Sequence, residues 1–141
     1  MKQSTPKAES LVIHCDGASR GNPGEAGAGA ILRTPEGGVV GHVSKYLGRK
    51  TNNEAEYTAL ILALEAAGGA GARQVLVRCD SELMVRQMNG QYKVKHPGLK
   101  PLFEKAKALA GGFSRFTIEH VRREYNGDAD TLANRAIDER L

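Results

Sequence analysis

Four acidic residues of this 141-residue chain stand where a hydrophobic element begins or ends. Asp16 and Asp80 each close an apolar stretch, and each follows a basic residue and a cysteine, in "LVIHCD" and "VLVRCD". Glu56 falls in the first turn of the most hydrophobic predicted helix, and Asp130 falls near the start of the last one. Any one of these acids has an ordinary explanation, because carboxylates favour helix N-termini and can cap them.

Convergence of the four carboxylates would create a metal site. Carboxylates brought together repel one another unless a cation neutralises them. An oxygen-only ligand set, without Cys or His, suits Mg²⁺, with Mn²⁺ as a substitute. Two such ions can activate water and stabilise the leaving oxygen in phosphodiester hydrolysis. The pattern therefore predicts a hydrolytic site if the four acids meet in the fold.

The elements that carry these acids follow the order βββαβα(α)βα. Three strands joined by short connections predict an antiparallel meander, and the two later strands are reached through helices. This order predicts an α/β fold with a mixed sheet and helices on both faces. Strands are predicted at 10–16, 28–34, 39–47, 74–79 and 114–121, helices at 54–67, 81–89, 99–110 and 128–140, and a loop at 17–27.

The two-residue period of a strand separates the acids from their neighbours. Along the first strand, Leu11, Ile13 and Cys15 share one face, and Asp16 lies on the other. The strand that ends at Asp80 has the same pattern. We expect the acid-bearing face to open to solvent near the strand ends. We expect the two cysteines to be small, buried core residues.

Two helix starts carry capping signals. Thr51 and Glu54 form the S/T-x-x-E pattern of a capping box, which gives Glu54 a structural role and leaves Glu56 without one. Asp128 is the predicted cap of the last helix.

Length and composition predict one domain of 15.1 kDa, residues 10–141, preceded by a flexible tail at residues 1–9. The formal charge of +4 permits a polyanionic partner such as nucleic acid. Two cysteines exclude a disulfide framework, and no N-terminal run is apolar enough for a signal peptide or a membrane span. We expect a cytoplasmic monomer without membrane contact.

The chain resembles the type 1 ribonuclease H family over nearly its whole length, from about residue 10 onward. The resemblance implies a ribonuclease H-like fold with a five-stranded mixed sheet. It makes Asp16, Glu56, Asp80 and Asp130 the metal-binding catalytic carboxylates. It implies hydrolysis of the RNA strand of an RNA/DNA hybrid by two metal ions, with 5′-phosphate and 3′-hydroxyl products. The motifs are "DGASRGNPGEAGAGAIL", "TNNEAEYTALILALEAA", "CDSELMVRQM" and "NGDADTLANRA".

The same resemblance implies contacts to the minor groove of a hybrid. Asn22 in "GNPG", with Asn52 and Asn53 before the helix, matches residues that touch this groove, and Gly17 belongs to the same surface. Amides there can meet 2′-hydroxyls and base edges without reading the sequence. The residues alone favour a turn role for Asn22 and a helix-start role for Asn52 and Asn53.

A phosphate contact is implied on the DNA strand. Arg49 and Thr51 match a pair that holds such a phosphate, where charge and hydroxyl are suited to it. His96 stands where an asparagine often completes this pocket.

The chain departs from the family before the last acid. Many members carry a loop histidine there that assists proton transfer and product release. The candidate here is His120, but "FTIEHV" is a strand pattern. Arg122 or Arg123 could meet the phosphate instead, although each also fits an ordinary surface charge.

A second departure is the short link "GQYKVKHPG" after Met88. Members with a basic handle insert a further helix there, so Lys93, Lys95 and Lys100 would supply only a smaller basic patch. We expect weaker and more salt-sensitive hybrid binding than in handle-bearing relatives.

Two other functions compete with hybrid cleavage. One is a module that binds hybrids without cutting them, which the presence of all four acids opposes. The other is a nuclease of the same fold that acts on other nucleic acids, which "GNPG" and "TNN" oppose.

Overall fold

The computed structural model describes residues 9–141. The predicted tail lies outside the described residues except for Glu9, whose carbonyl oxygen accepts hydrogen bonds from the N–H groups of Arg73 and Gln74, at 2.8 and 2.9 Å. Within this described part, no helix is long and apolar enough to cross a membrane. The strands are β1 (Ser10–Gly21), β2 (Gly24–Arg33), β3 (Val39–Lys50), β4 (Gln74–Cys79) and β5 (Arg115–His120), and the helices are α1 (Asn52–Gly69), α2 (Glu82–Met88), α3 (Lys100–Gly111) and α4 (Gly127–Glu139), with a 3₁₀ turn at Arg123–Tyr125.

The five strands form one mixed sheet in the order β3-β2-β1-β4-β5. The pairs β1–β2 and β2–β3 are antiparallel, whereas β1–β4 and β4–β5 are parallel. The predicted fold class, three hairpin strands plus two parallel strands, is confirmed. His14 pairs with Arg78 in the parallel ladder, so Asp16 and Asp80 each follow two residues beyond this pair. The register brings both acids to the same end of neighbouring strands.

Helices cover both faces of the sheet, as predicted. Gly17 of β1 abuts Ala55 of α1. The preceding residue, Asp16, pairs across the sheet with Gly29 of β2, and Gly29 abuts Ala129 of α4. Because successive residues of a strand point to opposite faces, α1 and α4 lie on opposite sides. Cys15 and the other residues of its face are fully buried under α1, so their predicted role as core residues is confirmed.

The predicted loop at 17–27 is wrong. The β1–β2 ladder continues without a break to the pair Gly21 and Gly24, and only Asn22 and Pro23 form the turn. The glycines that suggested a loop are explained by helix packing. A Cβ atom on Gly27 or Gly29 would lie 2.3 Å from a carbonyl oxygen of α4. Small residues in this hairpin therefore allow α4 to pack closely on the sheet.

The helix starts confirm one predicted cap and correct the other. Thr51 Oγ1 accepts from the N–H of Glu54 at 3.2 Å, and Glu54 Oε1 accepts from the N–H of Thr51 at 2.8 Å, which is the predicted capping box. Asp128 does not cap α4. The N-cap residue is Asn126, and the Asp128 carboxylate instead pairs with Arg33 at 2.6 Å.

Candidate active site

Three of the four predicted acids meet at the carboxyl end of the parallel strands. Asp16 lies within β1, Glu56 is the fifth residue of α1, and Asp80 lies directly after β4. One carboxylate oxygen from each lies within 4.8 Å of the others. They line a cavity of about 420 Å³, to which Asp130 also contributes.

Asp130 reaches this cavity from α4 on the opposite face of the sheet from α1. Its carboxyl group lines the cavity with that of Asp16 and helps to raise the pKa of Asp16. The structure therefore brings together all four acids that the sequence singled out, and two strands and two helices position them.

Glu56 is held by a close approach between α1 and β1. The N–H of Gly17 donates to Glu56 Oε1 at 2.8 Å in a buried setting. A Cβ atom at position 17 would lie 2.2 Å from the carbonyl carbon of Ala55. Only glycine permits this contact. The close packing of α1 on β1 therefore explains the glycine at position 17, in addition to any contact that Gly17 makes with a substrate.

The electrostatics of the cluster show how strongly the acids repel one another. Asp16 is only 4% exposed. Burial, followed by the charges of Glu56 and Asp80, raises its pKa to about 10. Burial also raises the pKa of Glu56 to about 8, against the opposing effect of the Gly17 hydrogen bond. The protein alone does not stabilise these groups in their ionised forms.

The donor set fits a divalent cation that prefers oxygen. Three carboxylate oxygens close to one another, in a partly enclosed cavity, match the ligand preference of Mg²⁺ and Mn²⁺. A bound cation would offset the repulsion that raises both pKa values.

A buried amide that the sequence did not single out connects two of the acid-bearing elements. Asn126 is 1% exposed, and its Nδ2 donates to the carbonyl oxygen of Cys15 at 2.9 Å. Its own carbonyl accepts from the N–H of Asp130 at 3.1 Å. It thereby ties β1, next to Asp16, to the first turn of α4. The sequence pattern favoured Asp128 as the cap, and no local signal indicated the long-range bond from Asn126 to Cys15.

The residues predicted to contact the minor groove gather at the start of α1. Asn22 Oδ1, at the tip of the β1–β2 hairpin, accepts from the N–H of Asn52 at 3.0 Å. Asn52 and Gly17 line the acid cavity, and Asn53 is exposed beside them.

The predicted phosphate residues lie near the same helix start. Arg49 is exposed near the end of β3, two residues before Thr51. His96 is exposed, and its Nδ1 accepts from the N–H of Gly98 at 3.0 Å. A Cβ atom on Gly98 would lie 3.7 Å from Glu54 Oε2, so the loop with His96 lies beside the first turn of α1.

His120 and Arg123 occupy different positions relative to the acids. His120 ends β5 opposite Cys79, is exposed, and is not among the residues that line the cavity. Arg123 does line it, and its charge opposes the burial-driven rise in the pKa of Glu56. Of the alternatives that the sequence left open, Arg123 is the one next to the carboxylates.

Comparison with known proteins identifies the family. A family model described as reverse transcriptase-like matches residues 14–136. The ribonuclease H of Anaplasma marginale is 33% identical, across 93% of this chain and 92% of that protein. The chain belongs to the ribonuclease H family. The bifunctional protein Rv2228c of Mycobacterium tuberculosis is 50% identical over 91% of this chain, but the chain spans only 35% of its length.

Solved ribonuclease H structures match the whole arrangement. The enzyme of the halophilic archaeon Halobacterium salinarum superposes with a TM-score of 0.90 at 43% identity, covering 92% of this chain and 98% of that one. LC11-RNase H1, isolated from compost and solved in complex with an RNA/DNA hybrid, superposes with a TM-score of 0.88 at 44% identity, covering 93% and 99%. Membership of the ribonuclease H family makes this domain a hydrolytic nuclease.

Proposed function

We propose that this domain cleaves the RNA strand of RNA/DNA hybrids with two divalent cations, Mg²⁺ by preference, and leaves 5′-phosphate and 3′-hydroxyl ends. The observation that carries the proposal is the cluster of Asp16, Glu56 and Asp80, with ligand oxygens within 4.8 Å of one another and Asp130 beside them. The similarity to LC11-RNase H1, whose structure contains an RNA/DNA hybrid, supports this choice of substrate.

The carboxylates supply the cation-binding oxygens. Glu56, Asp80 and Asp130 all raise the pKa of Asp16, so Asp16 is the residue best placed to serve two cations. Glu56 keeps its orientation through the Gly17 N–H. When bound, divalent cations would activate water and stabilise the leaving 3′-oxygen. Arg123, at the edge of the cavity, carries a permanent positive charge that can hold a substrate phosphate.

The start of α1 supplies the substrate surface. The side-chain amide of Asn22 is fixed through its Oδ1 on the N–H of Asn52, which leaves its NH₂ group free to donate to the minor groove. Thr51 Oγ1 accepts within the capping box, so its hydroxyl proton remains free for a DNA phosphate. Arg49 can add a charge-assisted contact to the same phosphate. This surface is continuous with the acid cavity through Asn52.

The decisive experiment is cleavage of an end-labelled RNA/DNA hybrid with Mg²⁺ or with a chelator. We expect cleavage with Mg²⁺, none with chelator, and none with Asp80→Asn. Glu104→Gln, which changes an exposed acid on α3, should cleave as the wild type does. An Asp80→Asn variant with wild-type rates would refute the assignment.

A substrate panel separates the competing functions. Hybrid, double-stranded RNA, double-stranded DNA and single-stranded RNA should be tested under the same conditions, with extension by a polymerase to detect 3′-hydroxyl ends. Hybrid binding without cleavage by the wild type would indicate a binding module. Cleavage of another duplex in preference to the hybrid would indicate a different nuclease of this fold.

A further inference from the structure

Asp130 differs from the other three acids in how it is held. Asp16, Glu56 and Asp80 form the group whose ligand oxygens are mutually close, and Asp130 stands beside this group on a separate helix. One turn further along α4, Asn134 Nδ2 donates to Asp130 Oδ1 at 3.2 Å and to its carbonyl oxygen at 3.0 Å. Asn134 is half-buried and lines the same cavity.

The amide of Asn134 is itself oriented by a cation. Arg20 Nη2 donates to Asn134 Oδ1 at 3.2 Å and to its carbonyl oxygen at 3.4 Å. Arg20 Nη1 is anchored on Asp138 Oδ1 at 2.6 Å. An asparagine amide has an acceptor on one side and two donors on the other, so an Arg donor on the oxygen directs the NH₂ group away from it. Here that direction is toward the Asp130 carboxylate.

We propose that Asn134 and Arg20 are positioning residues that hold the Asp130 carboxylate toward the cavity, where it can bind a divalent cation together with Asp16. The inference rests on the proposed function of the site. Residues hydrogen-bonded to metal-binding groups fix the orientation of those groups, and losing one typically weakens metal affinity or activity by about 10- to 100-fold. Asn134 would act through Asp130, and Arg20 would act through Asn134.

Arg20 also lines the cavity, so a direct contact with a substrate phosphate is the competing explanation. The two roles differ in what they change. A phosphate contact contributes to hybrid binding and weakens as salt is added. A positioning contact contributes to cation binding and to kcat and leaves the KM for the hybrid nearly unchanged.

The test uses Asn134→Leu, which removes the donor at similar volume, and Asn134→Gln, which keeps an amide. The control is Arg135→Ala, one residue further along α4. Arg135 is exposed, and within the described residues its one salt bridge is to Glu139. Cleavage of the hybrid gives kcat and KM. Calorimetric titration of the substrate-free protein with Mn²⁺ gives a readout that does not depend on activity.

We expect Asn134→Leu to lower kcat by about 10- to 100-fold and to weaken Mn²⁺ binding about tenfold, with KM within about twofold of the wild type. Asn134→Gln should recover most of the kcat and most of the Mn²⁺ affinity. Arg135→Ala should change neither kcat nor Mn²⁺ affinity. Unchanged kcat or unchanged Mn²⁺ affinity in Asn134→Leu would overturn the proposal. Thermal unfolding of each variant establishes that it is folded.

Arg20→Ala tests the second contact. We expect kcat to fall by about 3- to 10-fold, with weaker Mn²⁺ binding and little change in KM. A salt-dependent rise in KM with normal kcat would make Arg20 a substrate contact and remove it from the proposal. Asp80→Asn keeps this inference separate from the proposed function. If Asp80→Asn is inactive while Asn134→Leu is fully active, only the positioning role fails, whereas an active Asp80→Asn refutes the nuclease assignment itself.

Discussion

Cys15 and Asp16 are adjacent in β1 and almost equally buried, at 0% and 4% exposure, yet they lie in opposite environments. Cys15 packs in the apolar layer under α1, where burial favours folding. Asp16 faces the acid cavity, where burial and like charges oppose ionisation. On the neighbouring strand Cys79 is likewise fully buried, whereas Asp80, just beyond the strand end, is only partly buried. In β1, nearly equal burial therefore has opposite energetic consequences on the two faces of the strand.

The two faces of the sheet make opposite contributions to the stability of the domain. The apolar face is built from residues such as Leu60 and Leu64 of α1, which are fully buried in the core between α1 and the sheet. The acid face concentrates groups that the protein alone leaves in conflict. The proposed divalent cation would offset that repulsion, so the stability of the domain should depend on divalent metal.

The largest expected effect is that of Asp16→Asn. This variant should lose about a thousandfold or more in cleavage rate, because it removes the carboxylate whose pKa all three other acids raise. Near neutral pH the metal-free variant should at the same time be more stable than the wild type, by about 1–3 kcal/mol, because folding of the wild type requires Asp16 to take up a proton that the unfolded chain releases. Hybrid cleavage and chemical denaturation in chelator measure the two effects. A loss of both activity and stability would contradict the contrast between the two faces.

A substitution on the apolar face should lower the stability of the domain and leave its activity nearly unchanged. Leu60→Ala removes a fully buried side chain and should lower the free energy of unfolding by about 2–5 kcal/mol. Because Leu60 does not line the acid cavity, kcat should stay near the wild-type value at temperatures where the variant is folded. Denaturant titration and hybrid cleavage at low temperature check both. A variant that loses activity while fully folded would show that the two faces are coupled.

The pH dependence of stability should differ between the wild type and Asp16→Asn. Burial and neighbouring acids raise the pKa of Asp16 from 3.8 to about 10, and burial raises that of Glu56 from 4.5 to about 8. The folded protein therefore holds protons that the unfolded chain releases. The resulting stabilisation is complete below the unfolded values and is lost as the pH rises to the folded values.

In chelator, the free energy of unfolding of the wild type should thus fall between about pH 5 and about pH 8, and it should fall less in Asp16→Asn. Saturating Mg²⁺ should restore more stability at the higher pH, because cation binding requires deprotonated ligands. Denaturant titrations at both pH values provide the measurement. Parallel curves for the two proteins would contradict the assigned pKa direction.

The smallest expected effect is a difference in cleavage rate between substitutions at Arg123 and at His120. Arg123→Ala should lower the cleavage rate by about tenfold, since Arg123 lines the cavity, whereas His120→Ala should stay within about twofold of the wild type. Steady-state cleavage of the hybrid compares them directly. A larger loss for His120→Ala would mean that the end of β5 moves toward the carboxylates when substrate binds.

The sequence predicted the elements whose signals are local. The capping box of Thr51 and Glu54 marked the start of α1, and strand alternation separated Cys15 from Asp16 correctly. The order of the acids, together with the family resemblance, was enough to predict the fold class and the acid cluster.

The sequence failed where a residue type serves a distant contact. Gly27 and Gly29 suggested a loop, but they are small because α4 packs against them. Asp128 suggested a helix cap, but Arg33, nearly a hundred positions earlier in the chain, pairs with it. The bond from Asn126 to Cys15 and the contacts among Asn134, Arg20 and Asp138 likewise join separate elements. Local patterns carry no information about such partners.

The parallel register of β1 and β4 links assembly of the active site to folding itself. A slip of β4 by one residue would turn Asp80 and Arg78 toward the apolar layer and expel Val77 and Cys79 from it. A misaligned catalytic centre would thus require a broken core. Any chain that folds stably has already placed Asp16 and Asp80 side by side. Correct packing of the core therefore also ensures the correct arrangement of these two acids.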